Sequence, residues 1–277
     1  MIDYIRENLS YYELFYRLHT AKSTFTPERI DYGPDKDRYV LCYEPDKPVS
    51  DKVVVWVHGG GWNAGSPKDF DYVGQFMAKA GYRFISIGYR LSPKNKYPIQ
   101  IEDVCAAYNA ALKHLQDKGI DTSKVVVSGP SAGAHLSSIM TYSKKVQREY
   151  NVHVSNVIGY AGFGGPYRFG KSQGLTLKML LGMLFEKGYD CKQAEPLALM
   201  EESKIPMLLI QSRHDGLIEF ACAEEFAQKA KTLGIPCEIY EVEDKKNTHS
   251  WYTAGCFFFD REQSKTADRY LKFIESL

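Results

Sequence analysis

The chain has 277 residues, a net charge of +1 and 44% hydrophobic residues. That length suffices for one large α/β domain and does not demand two. The balanced charge offers no strongly basic face for nucleic acid and no acidic solvating tail, and no apolar run approaches the roughly 18 residues of a membrane span.

Met1 to Glu7 lacks the basic-then-apolar layout of a secretion signal. Six cysteines (Cys42, Cys105, Cys191, Cys222, Cys237, Cys256) are scattered, with neither C-x-x-C nor paired histidine spacing. That pattern argues against a zinc or redox site and reads as free, mostly buried thiols. The expectation is a soluble, cytoplasmic protein without metal or cofactor. Aromatic residues make up 13% of the chain, which fits a ring-lined cleft and a tyrosine-rich surface equally well.

Residues 1–25 carry Ile5, Leu9, Tyr12, Phe15 and Tyr16 near helical spacing. This predicts an amphipathic helix, packed on the body or lying as a flap over a site. A strand is predicted over Arg38–Tyr43, followed by a βα rhythm. Lys52–Val57 is an apolar strand ending in His58-Gly59-Gly60-Gly61-Trp62. Phe70–Ala80 is helical and stops at Gly81; Arg83–Ile87 is a buried strand. Ile99–Leu115 is a long helix with Pro98 before it and Gly119 after it. Strands follow at Lys124–Val127, Val154–Tyr160, Met207–Ile210 and Glu238–Val242, with helices at Cys222–Leu233 and Glu262–Leu277. Continuous apolar strands alternating with helices predict a mostly parallel sheet covered on both faces. The stretch 162–204 is too long for a simple crossover and predicts a small lid.

Val125-Val126-Val127 runs into Gly129-Pro130-Ser131-Ala132-Gly133, and a small-residue helix pattern follows at once. Gly-x-Ser-x-Gly alone is a weak pattern. Between a strand and a helix, however, it puts Ser131 at the apex of a tight turn with its hydroxyl clear of the backbone. A nucleophilic serine needs a base, and the base an orienting acid. Of the seven histidines, His19 and His114 lie in helices, His58 opens the glycine run and His153 precedes a strand. His135 is four residues after Ser131 on the same helix, and His214 adjoins Asp215. His249, in a late loop returning to the strand ends, is the candidate base. Asp215, in the turn after the Met207 strand, is the candidate acid, with Glu219, Glu243 and Asp244 as competitors. The order Ser131, Asp215, His249 is that of α/β-hydrolases.

Acyl transfer also needs donors for an oxyanion. Backbone N–H groups of Gly60 and Gly61, joined by that of Ala132 at a helix N-terminus, are the candidates. A phosphate cradle is the rival reading of the glycine run, but the Lys-Ser/Thr of a P-loop does not follow that run, nor does G-x-G-x-x-G open a helix there. No S-x-x-K occurs, which removes the β-lactamase type of serine site.

Several stretches resemble the α/β-hydrolase superfamily and, within it, the hormone-sensitive-lipase-like branch of esterases. They are His58-Gly59-Gly60-Gly61-Trp62, Tyr89-Arg90-Leu91-Ser92-Pro93 with Tyr97-Pro98 and Glu102-Asp103, and Gly129-x-Ser131-x-Gly133. With Asp215 and His249, the resemblance spans about residues 38–277. It implies an α/β-hydrolase fold, a structural rather than catalytic Asp103, and hydrolysis of small carboxylic esters. Pro130 departs from the branch, which commonly has Asp there, and the N-terminal cap is shorter than in many members. The stretches Ser131–Leu136 and Tyr160-x-Gly162-x-x-Gly165-x-Tyr167 are also similar to kynurenine formamidases. Feruloyl and acetylxylan esterases share the same elements. The expected function is therefore a serine esterase acting on a small-molecule ester. The alternatives are an arylformamidase acting on N-formylkynurenine, an acetylxylan or feruloyl-type esterase, and a non-catalytic binding protein on the same scaffold. Trp62, Phe163, Tyr167 and Trp251 are candidate wall residues of the pocket. No nucleic-acid or membrane partner is expected, and a homo-oligomer is allowed.

Overall fold

The computed structural model describes residues 2–20, 23, 25–170 and 174–277, without the side chains of residues 2, 4, 15 and 19. The readings made above for the side chains of Phe15 and His19, for residues 21, 22 and 24 of the first helix, and for 171–173 of the lid lie outside the described residues.

β-branched runs with no polar alternation cannot leave either face in water, and they form the centre of the sheet. Val53–Val57 (β3) and the strands beside it, Arg83–Ile87 (β4) and Val125–Pro130 (β5), are buried almost throughout. Val157–Phe163 (β6), Met207–Gln211 (β7) and Cys237–Glu241 (β8) extend the sheet in parallel. On the other side, Tyr39–Tyr43 (β2) pairs antiparallel with β4, and Glu28–Asp31 (β1) antiparallel with β2. The order is β1-β2-β4-β3-β5-β6-β7-β8.

Val53, Val55, Val57, Val125 and Val127 face one side, onto helices Ile99–Asp117 (α3), Ala132–Tyr142 (α4) and Phe220–Thr232 (α8). Val54, Trp56 and Val126 face the other, onto Asp71–Lys79 (α2) and the C-terminal helix Lys265–Ser276, α10. That last helix buries Ala267, Tyr270, Leu271 and Ile274, a stripe at helical spacing, and Ser264 caps it by accepting the Ala267 N–H at 3.2 Å. Each fully buried aliphatic side chain stabilises the fold by about 1.5–3 kcal/mol. The doubly covered centre is therefore the rigid platform from which the loops project.

The predicted strands and long helices are present, with ends shifted by up to a few residues. β5 and β6 run three residues beyond the predicted ends, because their pairing continues through Gly129↔Gly162 and Pro130↔Phe163, where two glycines and a proline hide the strand signal. β1 was not predicted; its sequence, Glu-Arg-Ile-Asp, is an exposed edge with little to bury. The first helix is Ile2–Thr20 (α1). Between β6 and β7 lie the apolar helix Leu175–Leu184 (α6) and a short turn of helix, Pro196–Leu199, numbered α7 after Lys144–Glu149 (α5) behind α4. The predicted loop around His249 is instead a short helix, His249–Thr253 (α9).

Candidate active site

At the end of β5 the chain must turn into α4 with no connecting loop. Ser131 makes that turn in a left-handed conformation (φ +50°, ψ −119°), a backbone state that costs a non-glycine residue on the order of 1–3 kcal/mol. Its N–H donates to the Phe163 carbonyl at 2.7 Å, which ties the turn to the end of β6. Gly133 is required by contact: a Cβ there would stand 1.9 Å from the Val57 carbonyl oxygen. Only a bare backbone lets α4 begin against β3.

The glycine run lies beside this turn, since a Cβ on Gly59 would approach the Ser131 Cβ to 3.6 Å. Gly60, Gly61 and Trp62 all have positive φ (+112°, +59° and +62°). Trp62 is the unexpected member, because a bulky residue pays for that conformation. Its ring is anchored instead. The indole Nε1–H donates to His135 Nδ1 at 3.2 Å, and His135 Nε2 bonds the Ala194 carbonyl at 2.7 Å. With Nδ1 accepting, the His135 proton sits on Nε2 and donates to Ala194, so this imidazole is neutral. Burial pulls its pKa down to about 4 against the opposing pull of the Ala194 bond. His58, stacked on Tyr89 with centroids 4.2 Å apart, is likewise drawn down to about 4 by burial.

Asp215 sits in the turn after β7. Its Oδ1 accepts the backbone N–H groups of Leu217 and Ile218, each at 2.8 Å. Oδ2 accepts His249 Nδ1 at 2.7 Å, the Tyr252 hydroxyl at 2.6 Å and Gln211 Nε2 at 3.3 Å. Both partners of the central pair are buried, with side chains 1% (Asp215) and 3% (His249) exposed. Burial lowers the His249 pKa, but the charge and hydrogen bond of Asp215, with a smaller contribution from Glu7, outweigh it and hold it above 6.5. A Cβ on Gly164 would come within 3.0 Å of His249 Cε1. The imidazole therefore lies over the end of β6, one residue beyond the carbonyl that binds Ser131.

The competing acids are engaged elsewhere. Glu219 pairs with Arg168, Glu243 with Lys265, and Asp244 accepts the N–H groups of Lys265 and Thr266 at the start of α10. Asp103 is fully buried and pairs with Arg90 (2.7 Å) and Arg38 (3.1 Å), which matches the structural part that the family resemblance implies for it. Tyr252 was not picked out from sequence. One helical turn after His249 it reaches the same carboxylate, a placement visible only once α9 is known to be a helix.

The four aromatic residues expected to line a pocket are each 2% exposed or less. Trp62 serves the glycine loop. Phe163 packs among Trp56, Phe257 and Tyr270, and Tyr167 stacks on Phe226 at 4.2 Å. Trp251 packs on Phe259 and lies under the Arg17 and Lys246 cations. Trp62, Phe163 and Tyr167 belong to the hydrophobic core. What does approach the glycine loop is α6: Leu180 Cδ2 would lie 2.8 Å from a Cβ on Gly61, and Asn63 contacts Met183. Among the described residues, no cluster of His, Cys, Asp and Glu could hold a metal ion, and no helix is long and apolar enough to cross a membrane.

This strand order, with helices on both faces and a strained serine where a central strand meets its helix, defines an α/β-hydrolase. The fold is shared with Francisella virulence factor BioJ (TM-score 0.76, 21% identity, covering 98% of this chain and 91% of that one). It is shared too with esterase B from Lactobacillus rhamnosis (TM-score 0.77, 18% identity, covering 100% and 96%). Residues 41–230, more than half of the chain, match the family model BD-FAE, and the protein belongs to that family. Carboxylesterase NlhH of Mycobacterium tuberculosis is 37% identical over 89 residues, which is 32% of this chain and 28% of that protein. Esterase LipC of the same species is 25% identical over 223 residues, 74% of this chain and 55% of the relative. The chain thus spans between 28% and 55% of the length of these two relatives.

Proposed function

We propose that the protein is a serine hydrolase that cleaves small carboxylic esters through an acyl-enzyme intermediate. What supports this above all is the buried 2.7 Å hydrogen bond between His249 Nδ1 and Asp215, over the same strand end that holds the strained Ser131 turn. Asp215 keeps the His249 proton on Nδ1, which leaves Nε2 free as a base. Nε2 takes the Ser131 proton as Oγ attacks the ester carbonyl. The resulting oxyanion is held by the N–H groups of Gly60, Gly61 and Ala132. Collapse expels the alcohol, which receives the proton from His249. Water, activated by the same imidazole, then releases the acid and restores Ser131. The names of the relatives, carboxylesterase and esterase, point the same way.

The proposed organisation is one α/β-hydrolase domain, with α1 and the segment between β6 and β7 enclosing the site. Six unpaired cysteines suit a reducing compartment, and the cytoplasm is the proposed location. The test is turnover of p-nitrophenyl acetate against longer acyl esters, with N-formylkynurenine alongside and Ser131→Ala as control. Short esters should turn over fastest and the variant should be inactive. Absence of ester turnover, or full activity in the variant, overturns the assignment. Faster turnover of N-formylkynurenine reassigns the enzyme as a formamidase.

A further inference from the structure

Helix α1 touches both loops of the candidate acid–base pair. At its start, the Asp3 carbonyl would lie 2.9 Å from a Cβ on Gly216, directly after Asp215, and the Asp3 side chain is 3.5 Å from His214. One turn on, Glu7 is 1% exposed, and among the described residues no lysine or arginine forms an ion pair with it. A buried carboxylate without a counter-cation is costly unless its oxygens are hydrogen-bonded. Here they are, and by the site itself. Oε2 accepts the backbone N–H of His249 at 2.6 Å, and Oε1 accepts that of Ser250 at 2.8 Å. These N–H groups open α9 and have no partner within that helix. Arg6 extends the tie, donating to Asn247 Oδ1 at 3.2 Å, and Arg17 lies 5.5 Å over the Trp251 ring.

Resting on the Ser131–His249–Asp215 reading above, we propose that Glu7 is a positioning residue for His249. It fixes the backbone that carries the imidazole, so that Nε2 meets Ser131 while Nδ1 meets Asp215, and it makes α1 part of the catalytic framework. The side chain of His249 is already held at one end by Asp215. Without Glu7 the backbone end is free to shift within a five-residue helix that no propensity would hold in place. A displacement of the order of 1 Å in a catalytic group costs about 100-fold in turnover.

The test is Glu7→Gln, which keeps shape but turns one acceptor oxygen into an NH₂ facing a backbone N–H. Folding is checked by circular dichroism and thermal melting, and kcat and KM are measured on p-nitrophenyl acetate beside Ser131→Ala. The expected result is a folded variant with kcat about 100-fold lower and KM within about twofold, because substrate contacts are untouched. Glu7→Asp, which keeps the charge on a shorter arm, should recover part of the loss. A folded Glu7→Gln protein with wild-type kcat, or one whose deficit lies in KM, overturns the proposal. Should Glu7→Gln unfold, Glu7→Asp carries the test: its shorter arm cannot keep both the His249 and Ser250 N–H contacts, so kcat should fall at constant KM, and unchanged kcat overturns the proposal. The two levels separate cleanly. An inactive Ser131→Ala beside a fully active Glu7→Gln removes only the role of Glu7, whereas an active Ser131→Ala removes the reading of the site and this inference with it.

Discussion

Replacing Asp215 by Asn tests the site through a change of one atom. Oδ1 receives two backbone N–H groups at 2.8 Å, so an amide oxygen is best placed there. The NH₂ then occupies the Oδ2 position, which now receives the Tyr252 hydroxyl at 2.6 Å and His249 Nδ1 at 2.7 Å. Tyr252 can turn its hydrogen away and accept. His249 has no such freedom: to accept from the amide, its Nδ1 must lose its proton, and the proton moves to Nε2. An imidazole protonated on Nε2 cannot take the Ser131 proton. The expected loss in kcat is about 10⁴-fold, or about 5.4 kcal/mol at 1.36 kcal/mol per decade, with little change in KM. The assay is steady-state turnover of p-nitrophenyl acetate by purified variant and parent. An amide placed before Gly216 deamidates readily, so the intact mass of each sample is read as well. A folded, mass-verified variant with more than a tenth of parental kcat would show that Asp215 does not set the tautomer.

Tyr252→Phe removes one hydrogen bond to a buried carboxylate but leaves the His249–Asp215 bond; it should cost about 1.5–3 kcal/mol, or a melting temperature lower by about 3–10 °C, with kcat within about tenfold. An unchanged melting temperature contradicts that role. Because Asp215 outweighs burial and raises the His249 pKa, and because the base works neutral, kcat/KM should climb with pH through a midpoint above 6.5; a midpoint below 6.5 refutes the balance of terms. His58 and His135 are depressed to about 4 from 6.5, so the unfolded chain binds their protons first. Their contribution is complete above pH 6.5 and is lost as pH falls through 4, on the order of 3 kcal/mol for each histidine. Denaturant melts from pH 7 to pH 4 measure it, and a flat profile contradicts the neutral, buried state of both.

Much of this molecule was legible from the chain alone where local patterning and burial coincide. The runs Val53–Val57 and Val125–Val127 read as strands buried on both faces, and Gly-x-Ser-x-Gly between a strand and a helix put Ser131 in a tight turn, where the structure has it. His249 could be named as the candidate base by elimination among seven histidines, and Asp215 as the candidate acid by its turn after a strand, and the structure brings the two within 2.7 Å of each other. Elements ruled by pairing rather than propensity were not legible. β1 exists because β2 offers it an edge, and the last residues of β5 and β6 are strand because each completes the other. The aromatic residues were misweighted for a related reason. A tryptophan after a glycine run suggests a pocket wall, yet the left-handed backbone at Trp62 is stabilised by a partner, His135, found only after folding.

The same distinction explains why Tyr252 and Glu7 escaped notice. A five-residue helix has too little internal hydrogen bonding to persist by itself, so α9 is defined by what grips it. On one side the grip is Asp215, which joins His249 and Tyr252 across one turn. On the other it is a carboxylate 242 positions earlier in the chain. No window of sequence spans that distance, and the charge of Glu7 in a helical repeat looks like any solvated surface acid. Its burial without a cation is the informative fact, and burial is a property of the fold. The candidate nucleophile and oxyanion loop carry local signatures because turns and glycines must shape them. Residues that position a base need only the right reach, and many side chains have that.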